Sequence, residues 1–587
     1  MQTKSLRMLT LLSFIAYCCR AQSVQYENFG DVTSISKPDQ KKWQQLKTDY
    51  NFSQADINSR ITYNQYPVLN ADKSINLEGW RGEDVNIQLA VSAKKDISSL
   101  TVSIDDLVSD NGKTIDNKQC EAGFVYYVIA DNSRGICSKK DNTTYNNIVV
   151  PDIIDFKPGS SFAKAYTNRP VWLKIKIPRD ADPGIYRGKI VATCNGSAES
   201  LNVVLKVSNN VMPTKENKKF FLELWQYPVA EADYYKVKPW SDEHFRLMEP
   251  AMQNLSSAGE DVITASFFWD AFNPSARNAD EMMIKPVKTK SGAWSYDFTN
   301  FDKWVNFMMN IGINKQITCF GMAPLNYKYY YFDEAQNKVT FFQEGVNGAQ
   351  YRQFWTSYLN AFQKHLQEKG WFNITTLAFS EKNPDVLKPL IGFIKSLNKN
   401  WKISFSGKYF PQVQTDIYDY SLISNEVIPE STIEERRQKG FVTTFYTSCW
   451  ERFPNTFVMS DPVDATWLSW NAANRNMDGY LRYAYDYWTM RNILSDVRSN
   501  IASGDRFLIY PYGNTSVRFE MLKDGIEDYE KIMLKFGRNN TAAATNNVIR
   551  TNAQGGFKSI LSQFDFKKVN PTVSRSRQIQ QARTVLE

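Results

Sequence analysis

The segment Leu377-Ala378-Phe379-Ser380-Glu381-Lys382-Asn383 closes a short apolar run with one glutamate, and a helix is expected to begin at once from Pro384. A carboxyl group at a strand-to-helix junction is where a barrel enzyme keeps an acid. Other chemistry is scarce in this chain. His244 and His365 are its only histidines, and both fall in segments of helical period, which argues against histidine triads and histidine-ligated metals. The side chains expected to share a face with Glu381 are instead Trp225, Gln226, Trp269, Asp270, Asn326, Tyr327, Ser380, Lys408, Tyr409, Glu426, Tyr446, Trp450, Asp486 and Trp488, with Arg482 as a further pocket residue. Aromatic faces, amides and carboxylates without a cysteine or histidine cluster form a set suited to a carbohydrate, and no metal or organic cofactor is called for.

The elements that must position these residues follow from the apolar pattern. From Phe220 the chain alternates apolar runs with helical stretches. Strands are expected at Phe220 to Gln226, Val262 to Phe268, Gln316 to Met322, Thr375 to Phe379, Lys402 to Ser406, Ser421 to Ser424, Phe441 to Phe445 and Tyr480 to Tyr485. Helices are expected at Asp242 to Ser257, Phe301 to Ile311, Tyr351 to Lys369, Asp385 to Leu397, Thr432 to Lys439 and Ala465 to Asn474. About eight such units are the count of a TIM-like (β/α)8 barrel, whose active site forms at the C-terminal strand ends. Before it, Val85, Ile87, Leu89 and Val91 alternate with polar residues, as do Val171 to Ile177 and Leu201 to Val207. This is the period-two pattern of a two-sheet β-sandwich. The expected organisation is a leader over 1–21, a sandwich over 22–209, a polar linker over 210–219, a barrel over 220–536, and an extension over 537–587 that carries a short helix or a loose end.

The first residues carry Lys4 and Arg7, an apolar stretch from Met8 to Cys18, and Cys19-Arg20-Ala21. They read as a secretory signal cleaved after Ala21, so an exported, periplasmic or cell-surface protein is expected. Tyr17 is bulky where a lipid-modified Cys18 needs a small neighbour. Beyond the leader no segment offers about 18 uninterrupted apolar residues, so none is expected to span a bilayer. Five cysteines remain, and Cys120 and Cys137 are the pair close enough in sequence to bridge a short loop. The net charge of +8 is spread without a dense basic block, which does not indicate nucleic acid as a partner.

Segments such as LELWQYP from Leu222, VITASFFWDAFN from Val262, DGYLRYAYDYW from Asp478 and RFEMLKDGIEDYE from Arg518 make the chain resemble glycoside hydrolase family 123, the β-N-acetylgalactosaminidases and their bacterial relatives. The resemblance implies a β-sandwich before a catalytic barrel, and substrate-assisted retention. In that chemistry the sugar's 2-acetamido oxygen attacks the anomeric carbon, an aspartate orients the acetamido group, and the adjacent glutamate protonates the leaving oxygen and then activates water. The family's glutamate maps onto Glu381 and its aspartate onto Ser380. A serine hydroxyl accepts a hydrogen bond but brings no charge to a developing oxazolinium. The implied readings are a slow or lapsed member that still binds sugar, recruitment of Asp270, Glu426, Glu451 or Asp486, or a sugar without an acetamido group. Arg518, Glu520, Asp524, Glu527 and Asp528 are read as an ion network anchoring the last helix.

Overall fold

The computed structural model describes residues 27, 29, 37–133, 135, 137, 147–271, 277–488, 493–496, 501–537, 556–569 and 574–586. The leader and the run from Asn540 to Asn552 lie outside them. Two sheets occupy the N-terminal part. One runs in the order Tyr50–Ala55, Asp84–Ala93, Thr167–Lys176, Cys120–Asp131, Asn147–Asp155, with Thr515–Ser516 from much later in the chain at its edge. The other is centred on Ser197–Val211, which pairs antiparallel with Gly184–Cys194 and parallel with Ser74–Arg81. Leu201, Val203, Leu205 and Val207 point into the core between the less buried Asn202, Val204 and Lys206, as period two requires. Asp84–Ala93 departs from alternation, being buried on both faces from Ile87 onward. Its outward Gln88 is covered because Nε2 donates to the carbonyls of Asp56 and Ser59.

From Phe221 eight parallel strands follow: β1 Phe221–Leu224, β2 Val262–Ser266, β3 Gln316–Phe320, β4 Thr375–Ser380, β5 Lys402–Gly407, β6 Asp419–Ile423, β7 Val442–Tyr446 and β8 Gly479–Arg482. They are ordered β1-β8-β7-β6-β5-β4-β3-β2. The barrel is nearly closed, and side chains complete the β1–β2 seam. Glu260 accepts from Leu224 N at 3.0 Å, Gln226 Oε1 accepts from Thr264 N at 2.8 Å, and Asp261 N donates to Leu222 O at 3.1 Å. At the β1–β8 contact a Cβ on Gly479 would lie 1.8 Å from Phe221 O, so only glycine permits that approach. Helices follow seven of the strands, but residues 408–418 between β5 and β6 form turns instead. A four-stranded sheet unforeseen in the sequence is built from the loops after β2 and β3, with strands Trp294–Asp297, Lys285–Lys288, Lys328–Asp333 and Lys338–Gln343. Its members are short and lack a clear apolar alternation, so no strand signal marks them.

The linker over 210–219 is bonded to both of its neighbours. Met212 O accepts from Arg179, Lys218 pairs with Asp261 at 2.6 Å, and Glu530 accepts from the backbone N–H groups of Lys219 and Phe220. The helix Val517–Phe536 ties the barrel to the first sheet. Lys174 meets Glu520 at 2.8 Å, Lys531 meets Glu83 at 2.5 Å, and buried Arg518 holds Asp152 at 3.0 Å while also donating to the carbonyls of Thr456 and Phe507. The short helix Arg575–Arg583 packs back through Arg583 onto Asp528 and Asp524. Removing one partner of a buried ion pair strands the other, at a cost of about 3–5 kcal/mol. Asp152→Ala is therefore expected to lower unfolding stability by about that amount in urea titrations, and a loss under about 1 kcal/mol would contradict the role given to this pair.

The disulfide joins Cys137 to Cys449, with a Cα separation of 4.9 Å, and leaves Cys120 as a partly buried thiol. The Cys120–Cys137 bridge that their spacing in sequence allowed is excluded by geometry. Cys120 opens the 12-residue strand Cys120–Asp131 and Cys137 lies beyond its far end, so an extended chain of roughly 3.3 Å per residue holds them apart. Among the described residues no helix is long and apolar enough to cross a membrane.

Candidate active site

Strand β4 ends at Ser380, and Glu381 turns out of it with φ 52°, a left-handed conformation that is uncommon for a glutamate. Its N–H still donates to Ser406 O on β5 at 2.8 Å, so the sheet holds the backbone while the turn releases the side chain. Asn383 then caps the helix Pro384–Leu397, its side chain accepting from Val386 N at 3.1 Å. Strain at such a position costs about 1–3 kcal/mol and persists where the surroundings over-determine it. The exposed Glu381 carboxyl accepts from Tyr446 Oη, at the end of β7, at 3.2 Å. That bond spans the mouth of the barrel, since β5 and β6 lie between the two strands. Burial, and after it the Glu381 carboxylate, raise the Tyr446 phenol, which stays protonated and donating. Burial lowers the neighbouring Lys382 ammonium, which lies 5.5 Å from the Tyr327 ring centre.

Beside Glu381 an open cleft of about 820 Å³ is lined by Ser380, Trp269, Asp270, Asn326, Lys328 and Tyr330, among others. Ser380 Oγ accepts from Ser406 Oγ at 2.9 Å, which leaves its own proton and a second lone pair free for a ligand. The inserted sheet supplies Lys328 and Tyr330, so it walls this cleft. Trp269 is only 1 % exposed, edge-on to Tyr330 at 5.1 Å, with Nε1 donating to Asn278 O. The barrel floor is aromatic. Trp225 packs edge-on to Phe320 at 4.7 Å within a cluster containing Tyr227, Ala378, Tyr446 and Leu481, and its Nε1 is taken by Glu223.

Three residues expected in the pocket sit behind this floor. Arg482 is fully buried and committed to Asp505 at 2.7 Å and Thr447 O. Trp488 donates to Ile509 O and packs edge-on to Tyr234 and Tyr235. Asp486 accepts from Tyr227 N at 2.8 Å. The strand end is legible in the sequence, but the groups that claim these side chains, Asp505, Ile509 and Tyr227, lie elsewhere in the chain. The other carboxylates considered beside Glu381 are also engaged. Asp270 caps the helix Pro228–Tyr235 by accepting from Val229 N and Ala230 N, Glu426 accepts from Tyr409 N, and Glu451 accepts from Ser424 Oγ and Ser448 N. The histidines are structural. His244 Nδ1 accepts from Trp240 N, which leaves Nε2 to donate to Pro228 O, and burial lowers this ring to about 4. His365 bonds Asp302 at 2.6 Å.

Sequence reasoning missed Glu231, which is fully buried beside Asp486. Neither Glu231 oxygen nor Asp486 Oδ2 meets a donor among the described residues, so the two carboxyls satisfy each other only by sharing a proton. Burial raises both, Asp486 to about 6, and it raises Asp270 to about 7. The unfolded values are near 4, so from about pH 4 to about pH 7 the native state holds protons that the unfolded chain has released. Stability drawn from these groups is complete below about pH 4 and is lost as pH rises to about 7. Asp486→Asn keeps the oxygen that receives Tyr227 N and gives Glu231 a permanent donor. Its melting temperature is expected to vary less with pH across that window than that of the native protein, and two parallel curves would refute the shared proton.

Residues 225–535 match the model of the glycoside hydrolase 123 catalytic domain, and residues 54–193 match that of the glycoside hydrolase 123 N-terminal domain. Among solved structures, a family 123 glycoside hydrolase from Clostridium perfringens, studied for glycolipid glycan hydrolysis, aligns with a TM-score of 0.80 at 24% identity, over 92% of this chain and 97% of its own. A Parabacteroides merdae β-glucuronidase aligns over 81% of this chain and 52% of its own, at 9% identity and a TM-score of 0.29. No curated protein sequence matches the chain significantly.

Proposed function

The chain belongs to glycoside hydrolase family 123, and from that membership we propose that it is an exported enzyme that removes a terminal β-linked sugar from a glycan, with Glu381 as acid and base. One observation carries the reading: Glu381 leaves β4 in a left-handed turn and extends across the barrel mouth to Tyr446, beside a cleft that Ser380 lines. In the family's chemistry Glu381 gives its proton to the leaving oxygen while the sugar's acetamido oxygen closes on the anomeric carbon. It then takes a proton from the water that opens the oxazolinium, so the configuration is retained. Tyr446 holds the carboxylate in place through both steps. Ser380 accepts the acetamido N–H through the lone pair that Ser406 leaves free. The hydrolysis of glycolipid glycans described for the Clostridium perfringens relative supports a glycan chain end as the substrate class. Export rests on Met1 to Ala21.

A second reading is favoured by one observation: Asp270, Glu426, Glu451 and Asp486 all have other engagements, so none of these four is free to stand in for the missing aspartate. In that reading the protein keeps the sugar pocket and has lost turnover. Release of 4-nitrophenol from aryl β-N-acetylgalactosaminide and from a panel of other aryl glycosides tests both. Turnover of any member supports the enzyme; sugar binding without turnover across the panel supports the lapsed relative and overturns the first reading.

A further inference from the structure

The chain has 15 tryptophans, all within the described residues. Thirteen are buried and Trp294 is partly so, but Trp450 is 74 % exposed. Large aromatic side chains are normally withdrawn from water, and an indole left in solvent on a catalytic-face loop invites a ligand. The loop does not leave it mobile. Cys449, next to Trp450, is bonded to Cys137. Trp450 N donates to Ser448 Oγ at 3.3 Å, Glu451 accepts from Ser448 N at 2.7 Å and from Ser424 Oγ, and Asn455 Nδ2 donates to the carbonyls of Ser448 and Glu451. Backbone on both sides of the residue is thus fixed while the ring stands free. On the far side, Gly135 comes so close that a Cβ there would lie 3.1 Å from Trp450 O, and its φ is +69°. The N-terminal region therefore reaches the barrel mouth and braces this one loop.

We propose that Trp450 is a stacking platform for the sugar unit on the leaving-group side of the bond that Glu381 cleaves; the proposal rests on the glycosidase reading above. The acid's carboxyl marks the leaving-group side, and Tyr446, which bonds that carboxyl, begins the loop. Trp450 is the fourth residue after Tyr446, a reach of at most about 14 Å. A rigid aromatic pays little conformational entropy when a ring settles on it, which is why pre-organised indoles serve as anchors. The carboxylates of Glu451 and Glu426, both within electrostatic reach of the Tyr446 phenol, give this edge of the mouth negative charge. The same charges disfavour insertion of the indole into a lipid surface.

Binding to the Glu381→Gln protein, where turnover is expected to be slow, tests this with two probes: methyl β-N-acetylgalactosaminide and the β-linked disaccharide of N-acetylgalactosamine on galactose. Trp450 is the one indole that iodide reaches freely, so its fluorescence quenching reports the platform directly. The disaccharide is expected to shield it and the monosaccharide to shield it far less. Trp450→Ala is expected to weaken the disaccharide about tenfold, the size of a modest anchor, and the monosaccharide much less. Cys137→Ser frees the loop and is expected to fall between. Disaccharide binding that leaves iodide quenching unchanged overturns the subsite, as does an equal loss for both probes. Loss of binding to phosphatidylcholine vesicles, with disaccharide affinity intact, overturns it in favour of a lipid contact. Binding of the monosaccharide with no gain from the second sugar overturns the subsite alone. Binding of neither probe overturns the acetamido-sugar form of the glycosidase reading and the subsite with it.

Discussion

Glu381→Gln is expected to lower kcat by about 10²- to 10⁴-fold on any glycoside the native protein turns over, the usual contribution of a positioned general acid and base. Glutamine is nearly isosteric, and its carbonyl oxygen still receives the Tyr446 hydroxyl, so the left-handed turn and the cleft remain. What disappears is the transferable proton. The deficit is expected to depend on the leaving group: 4-nitrophenolate departs without protonation, whereas a sugar alkoxide does not. The loss should therefore be smaller on the aryl glycoside for the first chemical step and larger on a disaccharide. Steady-state kinetics on both substrates, with a thermal melt to verify folding, measure this. A fall of less than about tenfold on the disaccharide would remove Glu381 from the acid role.

Ser380→Asp is expected to act in the opposite direction. If the pocket holds a 2-acetamido sugar, the new carboxylate supplies the charge that the developing oxazolinium lacks, and one pre-organised electrostatic partner is worth about 10²–10³-fold in kcat. The site is prepared for it, because Ser406 Oγ already donates to the atom at this position and would donate to a carboxylate instead. The half-buried setting keeps that charge from being fully screened. The gain should be confined to acetamido sugars, since glycosides with a free 2-hydroxyl have no group for the aspartate to orient. A gain of that size marks the natural protein as a slowed member of its family. An unchanged or lower rate on the acetamido substrate, with another aryl glycoside turned over by the natural protein, would assign the serine to a different sugar.

Much of this was legible in the chain because it is local. The helix at Asp242–Ser257 follows from Ser241 as its cap and from apolar residues at helical spacing, and the strand at Ser197–Val211 from the spacing of Leu201, Val203, Leu205 and Val207. Glu381 was recognisable because a strand pattern, one carboxylate and a helix start occur in succession. Trp488, Arg482 and Asp486 are buried and bonded to other groups, because strand ends alone do not tell a mouth-facing side chain from one that packs inward. The inserted sheet was invisible because its four short strands are stabilised by one another across the loops after β2 and β3 rather than by a pattern of their own.

The sequence by itself determined the layered plan and the place of Glu381 and of the serine beside it, since each depends on periodicity or adjacency along one stretch of chain. The tertiary structure decided which distant groups meet. It set Tyr446 on Glu381 across the mouth, Glu231 against Asp486, the side-chain seam between β1 and β2, and Cys137 on Cys449 rather than on Cys120. Such pairings arise from barrel closure and from docking the sandwich against it, and closure brings together residues tens to hundreds of positions apart whose partners no local pattern encodes.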